Sequence, residues 1–151
     1  MTDDIAARLA RIEALEAIRT LKHHYCRLCD EGYDAEALGA LFTEDAVWDA
    51  GEAFGACTGR AAIMDFFRTM PAAVSWSAHL VMNEEIALDG DTATARWRSV
   101  LPSSFRTPDG NVPHWLFVDY EDAYRREDGV WRISLCRSIV RRMAPHADGW
   151  E

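Results

Sequence analysis

Few residues in this chain are suited by type and spacing to chemistry. Cys26 and Cys29 form a C-x-x-C, preceded by His23 and His24. Such a pair does redox work at a helix N-terminus, where the dipole stabilises a thiolate, and zinc work when a second half with ligand spacing follows. Here it falls near the C-terminal end of a long helical pattern and no second half follows, so the four cysteines (Cys26, Cys29, Cys57, Cys136) read as small core residues. Asp30 and His79 supply a carboxylate and an imidazole, groups able to move protons. Taken alone, an aspartate at a helix end reads as an exposed cap, and a strand histidine as a satisfied or surface residue. The sequence holds no glycine-rich phosphate loop and no metal cluster, so no cofactor, nucleotide or metal, is expected.

Composition narrows the partners. The 151 residues suit one domain, spanning 1–151 with its core at about 10–142 and a tail at 143–151. Apolar residues make up 49% and charged residues 27%, ordinary values for a globular protein. A formal charge of −9 argues against nucleic acid, and the Arg137, Arg141, Arg142 cluster is too small to offset it. An acidic N-terminus without a hydrophobic stretch, and no apolar run of membrane length, predict a cytoplasmic protein with no membrane partner.

The elements that must position these residues divide cleanly along the chain. Ile5, Leu9, Ile12, Leu15, Ile18, Leu21, Tyr25 and Leu28 recur at three- and four-residue steps, predicting a long amphipathic helix that ends at Gly32. On that helix Asp30 lies well off the stripe. A second helix is predicted from Asp34 to Phe42, an extended segment from Ala46, a short hairpin at Gly51–Gly55, and a third helix over 61–69 closed by Pro71. Long strands follow over 75–88, 91–101, 114–127 and 130–142. Tight turns at Asp89-Gly90-Asp91 and Glu127-Asp128-Gly129 join the outer pairs, and a longer loop at Pro108–Asn111 the middle one. Helices first and strands afterwards predict an α+β fold, a curved antiparallel sheet wrapped around the long helix. Alternation puts His79 with Val81, Asn83 and Glu85, and aligns Arg141 with the inward set Trp131, Ile133, Leu135 and Ile139. From the aromatic-rich set, Trp48 and Tyr120 are taken as pocket residues.

Several stretches match in order: AIRTLKHHYCRLCDEGYDAEALGALFTEDAVWD (17–49), GRAAIMDFF (59–67), LDGDTATARW (88–97) and YEDAYRREDGVWRI (120–133). Together they resemble SnoaL-like members of the nuclear-transport-factor-2-like superfamily, whose cystatin-like cone encloses a pocket. Bile-acid 7α-dehydratase, scytalone dehydratase and hexachlorocyclohexane dehydrochlorinase are the groups the chain looks most like. The resemblance implies Asp30 and His79 as a catalytic pair, Tyr25 as an active-site tyrosine and Arg141 as a pocket arginine. A second pocket tyrosine of the bile-acid enzyme has no counterpart near Trp48.

In such a pair the carboxylate fixes the imidazole tautomer and stabilises the imidazolium, leaving the other nitrogen free to take a proton from carbon. The implied function is a cofactor-independent lyase, a dehydratase or dehydrohalogenase, acting on a small, largely apolar cyclic molecule of steroid, polyketide or haloalicyclic size. The alternatives are a ketosteroid-isomerase-like enzyme, or a non-catalytic module like the β-subunits of ring-hydroxylating dioxygenases. The resemblance also implies a homo-oligomer, a trimer ahead of a dimer.

Overall fold

A computed structural model describes residues 2–147. Helix α1 (Thr2–Asp30) is followed by α2 (Ala35–Ala40), β1 (Phe42–Asp49), α3 (Gly51–Phe54), β2 (Ala56–Thr58) and α4 (Arg60–Ala73). Strands β3 (Val74–Ser77), β4 (Leu80–Asp89), β5 (Thr92–Thr107), β6 (Gly110–Glu127) and β7 (Val130–Pro145) complete the chain. The sheet runs β2-β1-β7-β6-β5-β3, with β4 also paired to β5. All pairs are antiparallel except β1 with β7, so the predicted antiparallel sheet is a mixed one, curled around the C-terminal half of α1.

The helices form where the pattern places them, with shifted ends. Asp34 caps α2 by accepting from the Ala37 N–H at 3.0 Å. Phe42 pairs with Ile133 and opens β1 rather than closing the helix. Pro71 sits inside the last turn of α4 instead of ending it. The Gly51–Gly55 segment is the helical turn α3 joining the hairpin arms β1 and β2. No long loop exists at Pro108–Asn111, because Thr107 pairs directly with Gly110. The expected tail at 143 is strand as far as Pro145, and its residues 148–151 lie outside the described residues.

Two departures matter more. The apolar stripe of α1 is buried only from Ile18 onward; Ile5, Leu9 and Ile12 are 61%, 53% and 62% exposed. And the predicted strand 75–88 is two strands, interrupted at Ala78–His79. Further along β4, Asn83 adopts a positive φ of 54° where the register slips, so Ile86 and Leu88 turn to the core that Val81 faces.

Inside the cone, α1 carries a charge at a core position. Lys22 is fully buried, with Nζ 2.9 Å from Asp122 Oδ2 and 3.4 Å from the centre of the Tyr120 ring. The Nζ–Asp122 approach lies off the hydrogen-bond direction, so charge and the cation–π contact hold the ammonium. Burial, the largest single influence, pushes the Lys22 pKa down, while Asp122 together with Cys136 and Cys26 pushes it up, and the net direction is up. The Tyr124 hydroxyl donates to the same Asp122 oxygen at 2.9 Å. Replacing one partner of a buried pair strands the other charge, so Lys22→Met should cost about 3–5 kcal/mol in urea unfolding. The double variant Lys22→Met/Asp122→Asn should recover most of that loss; a Lys22→Met protein of unchanged stability would contradict the pairing.

Candidate active site

The interruption between β3 and β4 releases the His79 N–H from the sheet ladder and turns it to Asp30, the last residue of α1. That N–H donates to Asp30 Oδ2 at 2.9 Å. The ring nitrogen Nδ1 lies 2.6 Å from Asp30 Oδ1, and the Ser77 hydroxyl donates to the same oxygen at 3.1 Å. A carboxylate at the carbonyl end of a helix meets the unfavourable pole of the helix dipole. Three donors converging on it supply the compensation. Since a carboxylate only accepts, Nδ1 carries a proton, and in the neutral ring the lone pair is then on Nε2. The side chain of His79 is 8% exposed and that of Asp30 26%. Helix angles misjudged Asp30 because α1 is buried over a wide arc at this end, where Tyr25, Cys26, Leu28 and Cys29 all face the interior.

His79 opens onto an apolar cavity of about 80 Å³. Tyr25, Trp48, His79 and Tyr120 line it, so four of the six anticipated residues share one cavity, and Asp30 stands behind the His79 imidazole. The Trp48 indole N–H donates to the Tyr25 hydroxyl at 3.0 Å, orienting that phenol. Phe54, on α3, stacks with Phe105 of β5 at the cavity wall, ring centres 6.2 Å apart. Typical small-molecule sites measure roughly 300–1,000 Å³. With the side chains as they stand, the space is too small for a steroid.

Arg141 does not join this group. It points to the outer sheet face, where its Nε donates to Asp119 at 2.8 Å and its side chain is 56% exposed. The cause is the irregularity of β7. Its register slips between Ile133 and Leu135, so Cys136, Ser138 and Val140 take the inward positions that simple alternation assigns to Leu135, Ile139 and Arg141. Ser138 and Val140 therefore line the cavity. Arg141 instead helps form an open charged groove with Arg96, Arg98 and Asp119.

The SnoaL-like domain profile matches residues 10–137. The chain belongs to this family. No curated protein sequence matches it. In fold, this SnoaL-like chain is similar to a hexachlorocyclohexane dehydrochlorinase, LinA type 2 (20% identity, 93% of each chain covered, TM-score 0.84). It is also similar to a scytalone dehydratase-like protein from Novosphingobium aromaticivorans (24% identity, 97% of this chain and 92% of that one, TM-score 0.76). A nuclear-transport-factor-2-like protein with a cystatin-like fold, from the same species, shares 31% identity over 91% of this chain and 88% of its own (TM-score 0.72).

Sequence reasoning passed over Lys22, Asp122, Tyr33 and Ser77. Lys22 was findable: with Ile18, Tyr25 and Cys29 it makes a 4-3-4 spacing, a second core-facing line. Asp122 falls between the inward Tyr120 and Tyr124 at period two, so two buried charges of opposite sign announce a pair.

Around this site the neutral forms of the thiols and phenols are favoured. Burial pushes the Cys26 thiol up to about 11, and pushes up the Cys29 and Cys136 thiols and the Tyr25, Tyr120 and Tyr124 hydroxyls. The tyrosines therefore enter any reaction as hydrogen-bond donors, and the C-x-x-C thiols are poor nucleophiles. In the unfolded chain these groups ionise first, so their stabilisation is complete below about pH 8 and is lost as pH rises past the ordinary thiol and phenol values toward the higher folded ones. Thermal melts should hold from pH 7 to about 8 and fall progressively above, with tyrosinate absorbance appearing together with loss of helix. At neutral pH a thiol reagent should label Cys57 in the native protein and the other three only on unfolding; rapid native labelling of Cys26 would contradict the burial.

Proposed function

We propose that the chain is a cofactor-independent lyase whose carbon base is His79. The observation that carries this is the 2.6 Å contact of His79 Nδ1 with Asp30, in a residue that lines an apolar cavity. Nε2 takes a proton from the carbon beside a carbonyl or other activating group, and the C–H electron pair becomes the new C=C bond as the β substituent departs with its own pair. A departing hydroxide recovers the proton from the imidazolium and leaves as water; a halide leaves as the anion, and the proton passes to solvent. Asp30 stabilises the imidazolium between the two events. Tyr25 or Tyr120, both on the cavity lining, donates to the oxygen or leaving group.

The lining favours an uncharged, largely apolar ring. The cavity volume limits its size, and a ring enters when Phe54 swings out on α3. That helix begins at Gly51 and is capped by Gly55, both at positive φ, which can absorb the rotation. Return of the proton to a different carbon would make the same base an isomerase. The homo-oligomer remains part of this reading, with exposed Ile5, Leu9 and Ile12 on α1 and Leu80, Phe117 and Met143 on the strands as surface available for association.

The test is a screen of cyclic β-hydroxy ketones and halogenated rings for elimination. His79→Ala and Asp30→Asn should each lower kcat/KM by about 10²–10⁴ with unchanged circular dichroism, and Arg141→Gln should leave it within twofold. Equal rates in wild type and His79→Ala would remove the base. Binding without turnover by any ring would favour the non-catalytic module.

A further inference from the structure

Two aromatic side chains of the cavity wall share a hydrogen bond that can run in one direction only. The Trp48 indole is a donor and never an acceptor, so in its 3.0 Å contact with Tyr25 the N–H gives and the phenol oxygen accepts. The Tyr25 hydroxyl has a single proton, and with its oxygen engaged by Trp48 that proton is directed to another acceptor. The core groups around it compete poorly. Cys29, one turn further along α1, and Cys136, the register partner of Trp48 in β7, are thiols kept neutral by burial, and sulfur accepts weakly. A ligand in the cavity, which Tyr25 and Trp48 both line, can bring a stronger acceptor.

Packing holds the pair rigid. Trp48 sits where β1 pairs with β2 and β7 at once, opposite Cys57 and Cys136. Its ring lies 4.5 Å from that of Phe66 and meets Phe67 edgewise at 5.8 Å. Tyr25 meets Phe42 at 6.0 Å and Phe67 at 6.3 Å, both edgewise. Tyr33, whose backbone takes a left-handed φ of 60°, stacks on Phe67 at 6.1 Å and completes the cage. A donor fixed in this way needs no reorganisation when charge develops on a ligand oxygen. A phenol that receives an N–H on its oxygen is also polarised, and donates its own proton more strongly.

We infer that Trp48 is a positioning residue that aims the Tyr25 proton into the cavity, so that the pocket selects rings bearing a hydrogen-bond acceptor, cyclic ketones above all. This deepens the lyase reading and rests on it for the ligand class: the ring gives its oxygen to Tyr25 and an adjacent C–H to His79. A carbonyl taken from water into an apolar cavity loses its hydrogen bonds unless a donor replaces them. The matching hydrocarbon has nothing to lose, so the pair of ligands isolates the donor.

The test compares cyclopentanone, labelled with carbon-13 at the carbonyl, with methylenecyclopentane. Bound to wild type, the ketone should show a carbonyl stretch well below its value in hexane. Tyr25→Phe should return the stretch to the hexane value and weaken ketone binding about tenfold relative to the alkene, the loss of one hydrogen bond. Trp48→Phe should move the stretch part of the way back and lower the same ratio about threefold. In the Tyr25→Phe background it should move neither, an outcome that general loosening of the wall would not produce. If Trp48→Phe fails to fold, tryptophan-labelled wild type answers instead. Of its six indole N–H signals, the one displaced by Tyr25→Phe should move downfield when cyclopentanone is added and less with the alkene.

A stretch equal in wild type and Trp48→Phe, a lowered stretch that survives in Tyr25→Phe, an indole signal unmoved by the ketone, or no ketone binding would overturn the inference. A ketone held with the lowered stretch whose α hydrogens never exchange in heavy water would leave Trp48 its role and defeat the base reading alone. Exchange without the lowered stretch would do the reverse.

Discussion

A carboxylate at the wrong end of a helix dipole is the constraint on which the site depends. Asp30 ends α1, where exposed carbonyls already concentrate negative potential, and it is largely withdrawn from water. Such a group is tolerable only if donors converge on it. The sheet supplies them by breaking: with Ala78 and His79 outside the β3 and β4 ladders, one backbone N–H, one hydroxyl and one imidazole N–H all reach the two oxygens. The break that satisfies the carboxylate is the same feature that turns His79 to the cavity. Stability and chemistry thus share a cause, since a continuous strand would spend the His79 N–H on its neighbour and leave Asp30 unmatched.

A second charge pair, deeper in the cone, shapes the other wall. Lys22 reaches under the Tyr120 ring to Asp122, and Tyr124 closes the group from the next inward position of β6. Tyr25 lies within 5.1 Å of the same ammonium and receives the Trp48 N–H on its oxygen. The cavity therefore presents neutral phenols backed by a buried cation, a setting that favours hydrogen-bond donation to developing negative charge. No arginine is needed for that, and with Arg141 turned outward none lines the cavity.

Much of the fold was legible because its signals are periodic. The three- and four-step stripe of α1, the Gly32 stop, the Asp34 cap and the glycine turns each rest on local chemistry. The candidate pair was legible only through the family resemblance, since helix angles put Asp30 off the buried stripe and alternation treats His79 as one strand residue among many. Arg141 went astray for a definite reason: alternation has period two, so the slip between Ile133 and Leu135 turns Cys136, Ser138 and Val140 inward, and Arg141 falls in a second slip between Val140 and Arg142. No glycine marks that bulge. Tyr33 was hidden because the sequence announces the helix end but not the left-handed residue after the glycine. The cavity's volume depends on how Phe54, Phe67 and Phe105 fill the cone, which no periodicity encodes.

The central claim is that His79 Nε2 removes a proton from carbon inside the apolar cavity. Deuterium uptake tests it most directly, because it needs a bound ring with an acidic C–H and no leaving group. Small cyclic ketones would be incubated with the protein in heavy water and their α-carbon signals followed by NMR. The account predicts uptake with wild type well above the buffer rate, and uptake at the buffer rate with His79→Gln. Equal uptake with both proteins, or none with wild type for a ketone shown to bind in the cavity, would contradict it.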